Sequence, residues 1–336
     1  MHELLKRYQV RLQPLSALES LGSGGGYSGA RLWRFRAAPG QLVLRAWPAH
    51  GPGRAHLEKV HRWLFLTADL GFVPVPFRDR AGESLQDWQG SLWEVTPWLA
   101  GFADLSCPPK IEHLRLAFTG LAAFHERLVT EQVYDSSPGL RNRRDTLASL
   151  VRGEFDMLES AMERARPNSL AKADVNSWLA LARRLGPMLL DPLEQAAARI
   201  VPVQPCLRDA RPEHFLFEGD RLGGLVDYGA MGIDSVAADL ARLLGEWSGG
   251  DPAARREALD SYERVRPLDP AEAGLIPVFE SATALLIGER WVRWKYIEGR
   301  RFDDPNAVAK GLARSLNQLR RLDRQVAPRS GLAEFF

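Results

Sequence analysis

The stretch Leu207-Arg208-Asp209-Ala210-Arg211-Pro212-Glu213-His214-Phe215-Leu216-Phe217, followed by Leu225-Val226-Asp227-Tyr228-Gly229, decides how this chain is read. Each run sets one aspartate at the edge of a short apolar segment, and Gly219, Gly223 and Gly224 mark a turn and a second strand between them. Adjacent hairpin strands can hold two carboxylates side by side. Phosphoryl transfer asks for such a pair: one orients and deprotonates an attacking hydroxyl, the other holds a divalent ion on nucleotide phosphates. The plain alternative is a pair of turn-capping aspartates. Residues 201–230 form a Pro- and Gly-rich island in a helical half, and loops on a rigid scaffold are where side chains meet ligands.

On either side of the island, apolar positions recur at helical spacing in 111–132, 144–166, 169–200, 252–264, 269–298 and 306–325. Asp239, in Ala237-Ala238-Asp239-Leu240-Ala241, reads as a helix cap. The first hundred residues read differently. Arg31–Phe35 and Leu42–Trp47 form strands around the Pro39-Gly40 turn, and Ser84–Trp88 and Ser91–Trp98 form two more. Between them, 54–70 reads as a helix with Leu57, Val60, His61, Leu64 and Ala68 on one face, stopped by Gly71. The expected organisation is α+β, with residues 1–100 a small β-rich lobe and 101–336 a large, mainly helical one.

Ahead of the first strand lies Gly24-x-Gly26-x-x-Gly29. A dinucleotide fingerprint would be followed by a helix, and a Walker A loop by Gly-Lys-Ser/Thr; here a strand follows and no lysine lies between Lys6 and Lys59. A glycine loop between strands suits covering phosphates with backbone N–H groups, and suits a flexible hairpin turn as well.

Composition narrows the classes. The chain has 336 residues, 45% hydrophobic and 26% charged, enough for a sizeable core. A net charge of +2 gives no blanket argument for nucleic acid or an anionic membrane. Cys107 and Cys206 cannot make a disulfide framework, which fits a reducing, cytoplasmic compartment. The N-terminus has no apolar signal core, and Leu275–Ile287, broken by Glu280, reads as too short to span a bilayer.

With these motifs in place, the sequence resembles the aminoglycoside phosphotransferase/choline kinase-like family, relatives of protein kinases with His-Gly-Asp-x-x-x-x-Asn and a later Asp-Phe/Trp-Gly-like motif. The resemblance implies a two-lobed protein-kinase-like fold and ATP-dependent phosphorylation of a hydroxyl on a small molecule, with Mg2+ or Mn2+. It implies Asp209 as the catalytic base, Asp227 as a metal ligand, and Gly24, Gly26 and Gly29 over the phosphates. Three positions depart from the pattern. Leu207 replaces the histidine. His214 stands where the family has a metal-binding asparagine; its open roles are Mn2+ ligand, phosphate partner, or neighbour of an empty metal site. Arg45 replaces the phosphate-gripping lysine, with Glu58 as its expected partner. Glu94 to Trp98 resembles the inter-lobe hinge, which assigns Glu94 and Thr96 to the nucleotide; a plain strand end fits these residues equally well. The rival function is a non-catalytic nucleotide-binding protein or scaffold of the same fold.

Two other patterns are set aside. His56 and His61 are five apart and fall on different helix faces, so they do not form a zinc pair. Trp291, Trp294 and Tyr296 could box a cationic substrate, but core packing is the simpler reading.

Overall fold

The computed structural model describes residues 1–22, 29–164, 172–300, 302, 304 and 306–326. Gly24 and Gly26 lie outside the described residues. In chain order the elements are α1 (His2–Leu5), β1 (Glu19–Gly22), β2 (Arg31–Ala37), β3 (Gly40–Trp47), α2 (Arg54–Leu66), β4 (Gln86–Trp88), β5 (Ser91–Pro97), β6 (Phe102–Ala103) and α3 (Ile111–Arg127). There follow β7 (Val133–Ser136), α4 (Pro138–Ser149), α5 (Phe155–Arg164), α6 (Lys172–Ala197), β8 (Ile200–Cys206), β9 (Phe215–Glu218), β10 (Arg221–Leu225) and β11 (Gly232–Asp234). The last are α7 (Ala237–Trp247), α8 (Pro252–Glu263), α9 (Pro270–Tyr296) and α10 (Ala307–Val326). The fold is α+β, β-rich at its N-terminal part and helical at its C-terminal part.

The chain gathers into two compact units. One comprises Met1–Val133, Gln204–Asp239 and Glu246–Leu268. Its five-stranded antiparallel sheet has the order β1-β2-β3-β5-β4. The central strand β3 alternates with period two: Leu42, Leu44 and Ala46 pack with Leu4, Leu5, Phe35 and Val95, whereas Trp47 packs on Leu57 of α2. Val43, Arg45 and Trp47 therefore share one face of β3, and Arg45 is the one charged residue on it.

The same unit contains the catalytic-hairpin candidate. β9 pairs with β10, Phe215 opposite Leu225. On its other edge β9 takes β6, with Phe102 opposite Phe217. Gly101 makes that approach possible: its φ is +121°, and a Cβ there would lie 2.8 Å from the Phe217 carbonyl oxygen. A second antiparallel pair sets Gly232 of β11 opposite Cys206 of β8. β8 lies outside the expected strands because Pro202 and Pro205 remove ladder donors and disguise it as loop.

The other unit comprises Tyr134–Val203, Leu240–Gly245 and Asp269–Phe336. Its helices α6, α9 and α10 pack on one another. Trp291, Ala307 and Val308 form a core cluster with Trp294 and Phe302 against it. The arginine side chain of Arg300 covers the Trp294 ring at 4.6 Å. These aromatics are packing, not an open cage. One expectation needs correction: Leu275–Ile287 is part of a 27-residue helix, α9, long and apolar enough by composition to cross a membrane. Half of that apolar window is buried inside the protein, as in a core helix. Glu280 does not break it, since one charge interrupts an apolar run without ending a helix. Neither Cys107 nor Cys206 is in a disulfide.

Candidate active site

The loop leaving β8 is held by one carboxylate. Asp239 accepts the backbone N–H of Leu207 and of Arg208, both at 2.7 Å, through different oxygens. Its side chain thus caps this loop and not its own helix, contrary to the sequence reading. His125 Nε2 lies 3.1 Å from the same carboxylate, and His125 Nδ1 lies 2.8 Å from the Tyr262 hydroxyl. Asp239, His125 and Tyr262 are all fully buried. Leu207 is buried too, so it packs where the family places a histidine. An imidazole nevertheless reaches the loop's anchor, delivered by α3.

Beyond this anchor the loop presents a row of charged groups. Arg211 Nε lies 3.2 Å from Asp209 Oδ2. Arg211 Nη2 lies 3.1 Å from His214 Nε2, and His214 Nε2 lies 3.5 Å from Asp227 Oδ2. A guanidinium and an imidazole thus lie between the two aspartates. Asp209 is 37% exposed and Asp227 43%, against 6% for His214, so the carboxylates face solvent over a buried base. Two backbone bonds keep the row together: Val226 N–H donates to His214 at 2.9 Å, and Leu225 N–H to Phe72 at 2.7 Å. Arg208 and Asp227 adopt left-handed backbone, φ +63° and +68°, conformations that L residues other than Asn and Asp rarely hold. Such outliers cluster where a side chain must be aimed.

Burial sets the electrostatics. It lowers the His214 pKa, with Arg211 assisting and Asp227 opposing. Burial also works against the Arg211 charge, but Asp209, Glu213, Glu246 and Asp227 outweigh it and raise its pKa above the ordinary value.

A second charged group sits on the sheet. Arg45 and Glu94 are register partners across β3 and β5, and Arg45 Nη1 lies 3.3 Å from Glu94 Oε1. His61 of α2 meets the other Glu94 oxygen at 2.6 Å and Ser84 Oγ at 2.8 Å. Burial raises the Glu94 pKa, yet the bond to His61 and the charge of Arg45 reverse this and leave it lowered. Glu58 is not the partner of Arg45. It pairs with Arg54 at 3.0 Å, and Arg54 also pairs with Asp87 at 3.2 Å. The reason is helical geometry: Glu58 stands one turn after Arg54 on the exposed side of α2, whereas His61 lies on the buried side. Arg45, Glu94, His61, Thr96 and Tyr228 line one pocket, and Tyr228 directly follows Asp227 in the chain. Glu94 and Thr96 lie inside β5, where their side chains enter this pocket. Gly29, φ +74°, ends the glycine cluster just before β2.

Asp227 offers hard, half-exposed oxygens suited to Mg2+ or Mn2+. His214 suits neither ion as placed, because Arg211 occupies its Nε2. Sequence reasoning passed over Arg211 and His61. Arg211 stands two residues after Asp209 in the decisive stretch. His61 is the one polar residue on an apolar helix face, a placement that itself signals a buried partner.

The family model described as "Phosphotransferase enzyme family" matches residues 22–276. A homoserine kinase of Phenylobacterium zucineum is 28% identical over 67% of this chain and 64% of its own length. The chain therefore spans less than two thirds of that relative. Among solved structures, a spectinomycin phosphotransferase in complex with ADP and spectinomycin superposes with a TM-score of 0.65 at 11% identity, covering 97% of this chain and 98% of the other. A microcompartment-associated aminopropanol kinase gives 0.61 at 14% identity over 96% and 95%. These likenesses establish the protein-kinase-like fold.

Proposed function

The chain belongs to the phosphotransferase enzyme family, and from that membership and its site we propose that it is a kinase, moving the γ-phosphate of ATP to a hydroxyl of a small molecule. The observation that carries this reading is the row Asp209, Arg211, His214 and Asp227, in which successive side-chain groups lie within 3.5 Å and both motif aspartates take part.

In the reaction the acceptor oxygen forms a bond to the γ-phosphorus while the bond from that phosphorus to the ADP oxygen breaks. Asp209 orients the hydroxyl and takes its proton. Asp227 would hold a divalent ion, Mg2+ or Mn2+, which when bound would supply charge neutralisation on the nucleotide phosphates. Arg45, steadied by Glu94 and His61, grips those phosphates; arginine stays charged and can bind them bidentately, so it serves where lysine is absent. By the family resemblance, Gly24, Gly26 and Gly29 are assigned to the phosphates and Thr96 to the nucleotide. Residues 1–100 act as the nucleotide-binding lobe and 101–336 as the catalytic and substrate-binding lobe. Positioning and electrostatics, with no covalent enzyme intermediate, provide the rate.

The homoserine kinase relative makes a hydroxylated amino acid the first acceptor class to try. The test is ATP turnover with Mg2+ or Mn2+ over a panel of hydroxyl acceptors beginning with homoserine and short amino alcohols. Acceptor-dependent ADP release that Asp209→Asn abolishes supports the assignment. Nucleotide binding without turnover on any acceptor would favour the non-catalytic scaffold, which the departures at 45, 207 and 214 motivate.

A further inference from the structure

We propose that Arg211 is a built-in cation that takes the place of a second metal ion, so that this kinase works with a single divalent ion held by Asp227. The inference rests on the kinase reading above and deepens it.

In the protein-kinase arrangement two ions neutralise the phosphates, one on the second-motif aspartate and one on the catalytic-loop asparagine. Here that second position is His214. Arginine has no acceptor, so the 3.1 Å contact between Arg211 Nη2 and His214 Nε2 has only one sense: Arg211 donates and Nε2 accepts. That lone pair is the only one a neutral imidazole can offer to a metal, and it is already used. The other ring nitrogen, Nδ1, is buried and, with Nε2 accepting, carries the ring proton, so it has no lone pair for an ion. His214 therefore fits as a seat for a guanidinium and does not fit as a metal ligand.

Arg211 has the properties the missing ion would need. Its side chain is mostly buried, at 16% exposure. Its Nε is 3.2 Å from Asp209, so the positive charge stands beside the group that receives the acceptor hydroxyl. Arg211 immediately precedes the short turn Pro212–His214, and its carbonyl accepts the His214 N–H at 2.9 Å. A guanidinium cannot dissociate or lose its charge at working pH, and its planar fork can face phosphate oxygens while another N–H holds His214.

The decisive measurement is metal stoichiometry with the intact protein. Free Mn2+ is counted by electron paramagnetic resonance as it is titrated into protein saturated with the non-hydrolysable analogue AMP-PNP. The expected result is one Mn2+ per chain. Two per chain, with AMP-PNP bound, overturns this inference and leaves the kinase reading intact. No binding of AMP-PNP at all overturns both. The double variant Arg211→Ala/His214→Asn, checked for folding by its melting curve, should bind a second Mn2+; a variant that still binds one counts against the exchange. Arg211→Ala alone should lower kcat about a hundredfold with a smaller rise in KM for ATP, a size typical of losing one preorganised charge at a reacting group, and Arg211→Lys should recover part of it. An unchanged kcat in Arg211→Ala would also sink the proposal.

Discussion

The two charged groups of this protein are built from similar residues and behave as opposites. Arg45, Glu94 and His61 stand on neighbouring strands and a packed helix, and their acid is almost fully buried at 6% exposure. Asp209, Arg211, His214 and Asp227 stand on a loop and a turn, with both acids roughly two-fifths exposed. Strand register places the first group, so its geometry is inherited from the sheet. The second depends on left-handed backbone at 208 and 227 and on the clamp of Asp239. A grip on a bound nucleotide gains from rigidity, whereas a group that must meet an incoming hydroxyl needs access. The contrast separates variants that hurt stability from variants that hurt chemistry.

The sharpest break of that contrast is Asp209→Asn. It should lower kcat about a thousandfold, as loss of a general base does, and leave the urea midpoint nearly unchanged. A large loss of stability would show that Asp209 is structural. Glu94→Ala should act chiefly on stability, costing about 3 kcal/mol in urea unfolding because it leaves the buried His61 and the partly buried Arg45 without their shared carboxylate, and it should raise KM for ATP by loosening Arg45. Next in size is Asp239→Ala, which strips two buried amides of their acceptor and should cost about 2–4 kcal/mol. It should also lower kcat with little change in KM for ATP, since the loop it anchors carries Asp209.

The pH dependence of unfolding sharpens the same division. The His214 pKa is lowered in the folded protein, so the unfolded chain binds the proton more readily. Stability from this source is fully present above the ordinary histidine value of 6.5 and falls as pH drops below it. The variant His214→Gln should flatten the wild-type slope just below that pH. Glu94 is lowered as well, from 4.5, so its contribution is lost only in more acid solution. Smallest of all is Glu58→Gln. It removes an exposed pair on α2 and should change stability by no more than about 0.5 kcal/mol, with KM for ATP unmoved.

Much of this was legible in the residues. The strands 31–37, 40–47 and 91–97 and the helices 54–66, 252–263, 270–296 and 307–326 follow from local periodicity, and the observed spans lie close to the expected ones. β8 did not show itself, because its prolines mask a strand that its partner β11 completes from residues far along the chain. The 54–70 helix ends early in a separate turn at Ala68–Leu70, before Gly71.

Sequence alone determined the α+β class and the two aspartate motifs with the strands that flank them, since these depend on neighbours a few residues apart. Tertiary structure alone decided that Arg45 meets Glu94 and not Glu58, that Asp239 clamps the loop instead of capping its helix, and that Arg211 rests on His214. Those choices depend on strand register, on which side of a helix is buried, and on how a turn folds back. Each is set by contacts between segments that no local spacing relates.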